Sequence, residues 1–145
     1  MESQLAATRF LAGGAVSLLG VRRSFSKTAQ LERIVVDMGD HDAHPAGKKM
    51  GYFQASLDSK AKRVVVDLTQ LHLSLMTEDK LKEIFSRSPY VASVEFTMDP
   101  EDKTGSLVLN LRRPVKMEVF ELLKAKRPAR VVIDLKPAAN STGRI

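Results

Sequence analysis

The chain has 145 residues and a mass of 16.0 kDa, the size of one domain with a single core. It is 43% hydrophobic and 28% charged and has no Cys, which excludes a disulfide framework and thiolate chemistry, and no apolar run nears the ~18 residues that span a bilayer. A net charge of +6 and a pI of about 9.7 ask for partners of negative sign: nucleic acid, anionic lipid or an anionic wall polymer.

Residues 1–17 read as a linker or the remnant of a targeting segment. Phe10 to Val21 is apolar behind Arg9, but its two glycines, the acidic Glu2 and the lack of a small-residue cleavage site fall short of a signal sequence. Strands are predicted over 18–26, 32–38, 50–57 and 62–68, each an aliphatic or β-branched run between polar residues. Asp40 to Gly47, with His41, Asp42 and His44, reads as a solvated loop; no further His cluster stands by to complete a metal site. His72, between two leucines, reads as half-buried. Thr77 caps a short helix running to Arg87, with Glu78 and Asp79 at its positive end and Pro89 closing it. Four more strands follow over 91–98, 105–111, 115–123 and 129–136, and 137–145 reads as a second linker.

These elements repeat. Arg33-Ile-Val-Val-Asp37, Arg63-Val-Val-Val-Asp67, Ser106-Leu-Val-Leu-Asn110 and Arg130-Val-Val-Ile-Asp134 are one pattern four times over. Lys49 to Leu68 aligns with Lys116 to Leu135 at a constant offset of 67, with eight of twenty positions identical, including Phe53 with Phe120 and Arg63 with Arg130. Val21 to Met38 aligns with Val94 to Leu111 at an offset of 73, so the Asp40 loop absorbs the difference. The chain is a tandem duplication of a four-strand unit, copy one at 18–68 and copy two at 91–136, joined by the helix at 77–88. Two sheets with one apolar face each must bury those faces on one another, so the expected fold is mainly β: a two-layer β-sandwich of two pseudo-symmetric sheets. Alternation along the strand sends Ile34, Val36 and Met38 to the core and leaves Arg33, Val35 and Asp37 on the opposite face.

The strand Leu18-Leu-Gly-Val21-Arg22, then Arg33-Ile-Val-Val-Asp37, Phe53 and Arg63-Val-Val-Val-Asp67, with the second copy through Phe120 and Arg130-Val-Val-Ile-Asp134, resembles the AMIN domain family over residues 18–136. The resemblance implies two symmetric β-sheets and a non-catalytic module that targets periplasmic N-acetylmuramoyl-L-alanine amidases and type IV pilus secretins to peptidoglycan. Ser106 and Asn110 depart from the pattern, standing where Arg and Asp are expected.

The candidate peptidoglycan contacts are Arg33, Arg63 and Arg130, whose guanidinium forks suit carboxylates and acetamido oxygens, with Arg112 and Arg113 beside Pro114. The bland alternative is cross-strand ion pairing with the aspartates of the same rows. Phe53 and Phe120, at equivalent places, read as core, and Tyr52 and Tyr90 as the aromatic candidates for a wet contact. No nucleophile elbow, zinc-protease motif or phosphate loop is present, so no enzyme activity, catalytic residue, metal or cofactor is expected. The expected setting is the periplasm, with peptidoglycan as partner and other envelope proteins as further ones. A basic β domain binding nucleic acid and an assembly module docking by its sheet edge are the alternatives; the first lacks aromatics interleaved with Lys and Arg.

Overall fold

The computed structural model describes residues 3–9, 16–40, 53–123 and 126–138. Its strands are β1 (Ser3–Arg9), β2 (Val16–Ser26), β3 (Leu31–Asp40), β4 (Phe53–Asp58), β5 (Arg63–Thr69), β6 (Leu71–Ser74), β7 (Val91–Asp99), β8 (Thr104–Leu111), β9 (Val115–Leu122) and β10 (Ala129–Pro137). Among the described residues one short helix, α1 (Glu78–Ile84), stands between β6 and β7. All eight expected strands form. Strand β1 falls within residues 1–17, and β6 is an addition at the start of the connector. The helix begins as expected, with Thr77 accepting a hydrogen bond from the Lys80 amide at 3.2 Å, but ends at Ile84, three residues before Arg87.

The chain is a two-sheet β-sandwich. The first sheet runs β1-β4-β5-β8-β7 and the second β6-β2-β3-β10-β9. The copies therefore do not form one sheet each. Each sheet takes one hairpin from either copy, and the copies meet along β5–β8 in one sheet and β3–β10 in the other. Exchanging the copies turns β4-β5-β8-β7 into β9-β10-β3-β2, which is the second sheet read backwards. The symmetry reaches the backbone. Hairpins β2–β3 and β7–β8 each carry a bulge at the equivalent residue, Leu19 and Ala92. Each also closes with an equivalent left-handed residue, Gln30 at φ 53° and Lys103 at φ 55°. Such turns accommodate the right-handed twist of the paired strands.

The core is the sum of the two inner faces. Ile34, Val36 and Met38 are buried as alternation requires, and Val64 and Val131, equivalent in the repeat, are both fully buried. Leu81 and Phe85 of the helix region pack on the same cluster. Burial of this much apolar surface, at ~25 cal/mol per Å2, drives the fold.

One equivalence fails. Asp58 faces Arg63 in the first sheet, whereas Leu122 faces Arg130 in the second, so β9 slides three residues relative to the repeat. An odd slide turns every side chain to the other face. Phe53 is 2% exposed in the core, but Phe120 points outward and is 39% exposed. The reading of Phe120 as a core residue is corrected. So is Tyr90 as a wet contact: it is 2% exposed, its hydroxyl donates to the Gln30 carbonyl at 2.8 Å, and its ring meets Phe25 edge-on. Burial raises its phenol pKa above the ordinary value. His72 is exposed on β6 rather than half-buried. Tyr52 and His41 to Ala46 lie outside the described residues.

Candidate functional site

The two outer faces differ sharply in chemistry. On the second sheet, three cross-strand rows run over β2, β3, β10 and β9: Gly20–Asp37–Arg130–Leu122, Arg22–Val35–Val132–Phe120 and Ser24–Arg33–Asp134–Glu118. Period-two alternation puts all of these side chains on the side away from the core.

Arg33 donates to Asp134 through Nε and Nη2, both at 2.8 Å. Its guanidinium also stands 5.4 Å from the centroid of Phe120, within cation–π range. Arg22 reaches diagonally to Asp37, with Nε at 2.9 Å and Nη2 at 3.0 Å; the row partner of Asp37 is Gly20, which leaves its carboxylate open to that approach. Arg130 approaches Asp37 from the other side at 3.6 Å. These hydrogen bonds raise the pKa of Arg22 and Arg33 above the ordinary guanidinium value, so both stay charged. Val132, at the centre of the face, is only 2% exposed although it lies outside the core cluster. The longer side chains around it close over it.

The result is a lattice of three guanidiniums held by two carboxylates, beside an exposed strip of Phe120 and Leu122, the latter 41% exposed. A bidentate pair uses two of the five N–H donors of an arginine and fixes the orientation of the rest. Arg22 and Arg33 remain well exposed at their side chains, 59% and 45%. Both hold oriented donors toward solvent. A groove of about 470 Å3 adjoins the lattice, reached past Asp134 and Glu118 and lined further by Lys116, Lys136 and Ser59.

The first sheet carries the same positions without the lattice. Its ladder sets Arg63 opposite Asn110 and Asp67 opposite Ser106. The two departures noted in the repeat thus remove both ion-pair partners. Asn110 donates instead to Glu95 at 3.0 Å, a neutral-to-acid echo of the Arg22–Asp37 pair. Arg63 makes no ion pair among the described residues and shares its face with Asp58, Asp67 and Glu95.

The expected arginines therefore do not converge. Arg33 and Arg130 share the second sheet's outer face, and Arg63 lies on the opposite face of the molecule. Arg112 and Arg113 occupy the β8–β9 turn, where Arg112 Nε donates to the Ser88 carbonyl at 3.1 Å and Arg113 stands 5.9 Å from the Tyr90 ring centroid. The ion-paired alternative holds for Arg33 and Arg130. Sequence reasoning named neither Arg22 nor Leu122 as a site residue and weighed Phe120 as a stacking platform only to prefer the core; the alternation Lys116, Glu118, Phe120, Leu122 against Val115, Met117 and Val119 was the signal for Phe120 and Leu122.

No protein-family model matches this chain, and comparison with curated proteins finds no match. No helix among the described residues is long and apolar enough to cross a membrane.

Proposed function

We propose that the chain is a non-catalytic cell-envelope module that binds peptidoglycan on the outer face of its second sheet, working in the periplasm as part of, or accessory to, a secretin or an amidase. The observation that carries this reading is the surface-exposed Phe120 set among pre-oriented arginines. A sugar ring stacks its C–H face on an exposed aromatic, while acetamido, lactyl and peptide oxygens accept from the remaining guanidinium N–H groups. No covalent chemistry is involved. The AMIN resemblance supports the same reading, and the asymmetry between faces favours the second sheet over the first as the recognition surface.

The carboxylates argue against nucleic acid. Asp37 and Asp134 hold down the charge of the arginines that a phosphate backbone would need, and among the described residues this face presents Phe120 alone rather than a stacking ladder. Co-sedimentation with purified sacculi tests the reading. Wild-type protein is expected to pellet, Phe120→Ala to lose at least about tenfold in affinity, roughly 1.4 kcal/mol, and Arg63→Ala to bind as wild type. Retention on DNA-cellulose that matches sacculus binding and falls steeply with salt would overturn it.

A further inference from the structure

Edge strands carry unpaired N–H and C=O groups, and folds cover or blunt them. The pseudo-symmetric core has four such edges: β4, β7, β2 and β9. Strand β1 pairs with β4 and β6 pairs with β2. Helix α1 lies against β7, and its Glu78 accepts from the Phe96 amide of that edge at 2.9 Å. Of these four edges, β9 alone is met by neither a further ladder nor the helix among the described residues; β1 passes near it without forming a ladder. Its equivalent, β4, is the edge an antiparallel strand already covers.

The charges on β9 fit badly with its own sheet. Across the β9–β10 ladder Lys116 stands directly opposite Lys136, and Glu118 directly opposite Asp134. Like charges placed opposite one another destabilise a sheet. Neither Lys116 nor Glu118 makes an ion pair among the described residues.

We propose that β9 is the seam of a homodimer, in which the β9 strands of two copies pair antiparallel about a two-fold axis through Met117. In this register Lys116 faces the second copy's Glu118, and Glu118 faces its Lys116, so both mismatched charges gain an opposite neighbour. Val115 faces the second copy's Val119, keeping the apolar inner rows in line. The interface is isologous and closes on itself, which prevents the open-ended association an exposed edge invites. Two five-stranded sheets become one of ten, with both Phe120 rings on the same face. The pairing does not depend on what that face binds.

Sedimentation velocity on the full chain tests it, with circular dichroism to verify folding. Wild type is expected to sediment as a dimer. Lys116→Glu sets Glu against Glu across the seam and is expected to weaken dimerisation at least tenfold, and Lys116→Glu with Glu118→Lys to restore it. The chain has no Cys, so Met117→Cys gives a second, independent readout. Facing residues in an antiparallel pair lie ~4.5–5.5 Å apart at Cα, within disulfide reach, so mild oxidation is expected to link this variant into a covalent dimer and Val119→Cys much less. A monomeric wild type, a charge reversal without effect, a double variant as weak as the single, or equal cross-linking at both positions would each overturn the proposal.

Discussion

Glu32 shows how much one side chain contributes to placing the connector between the copies. It occupies an inward position of β3 and is fully buried. Its carboxylate accepts from Arg23 Nε at 2.6 Å, from the Ser88 hydroxyl at 2.7 Å and from the Tyr90 amide at 3.3 Å. Those bonds pin the segment that leads from α1 into β7. Removing one partner of a buried pair leaves the other charge uncompensated, at a cost of ~3–5 kcal/mol. Glu32→Ala is therefore expected to lose about that much stability in urea unfolding followed by circular dichroism; a loss below ~1 kcal/mol would show the clamp to be dispensable. This residue's role was not legible in the sequence, because a carboxylate that opens a predicted strand reads as its polar boundary. The inward positions Ile34, Val36 and Met38 were legible because alternation fixes them locally.

At the scale of elements, the places where the copies differ are informative. The position equivalent to Glu32 in β8 is Gly105, and a Cβ there would collide with a methyl of the fully buried Leu71. The lack of a side chain lets β6 close on the sandwich. Gly105→Ala is expected to cost ~1–3 kcal/mol by over-packing, read from the same unfolding curves; a neutral change would mean that β6 is loosely seated.

Helix α1 is held to the β7 edge by Glu78. Its hydrogen bond from the Phe96 amide, with Lys82 nearby, lowers the carboxyl pKa in the folded state. A depressed carboxylate contributes stability above its unfolded pKa and loses it as pH falls through the folded value. Glu78→Gln is expected to flatten the acid limb of the stability–pH profile below the ordinary glutamate range. An unchanged acid limb would exclude the contact from that linkage. The helix start was legible from Thr77 and the two acids behind it. Its early end was not, since Phe85 is drawn into the core by tertiary packing rather than by any local signal.

For the whole molecule, the duplication and the two-layer sandwich were readable, because the repeat pattern and its apolar alternation are carried residue by residue. How the copies interleave was not. Pairing β5 with β8 and β3 with β10 is a choice between distant strands of equal local character, made by the total fit of the two faces. The β9 slide was hidden for a related reason. Identities at offset 67 align Phe53 with Phe120, whereas the longer β9–β10 connection resets the register and reverses which of the two rings is buried. The misplaced ring became the centre of the candidate site.

The asymmetry of the two faces gives the account its sharpest test. In a titration of isotope-labelled protein with a soluble glycopeptide fragment of peptidoglycan, amide shifts are expected along β3, β10 and β9 around Arg33, Val132 and Phe120, with the outer face of β5 and β8 unmoved. Shifts centred on Arg63 and Asn110, or none at saturating fragment, would contradict it.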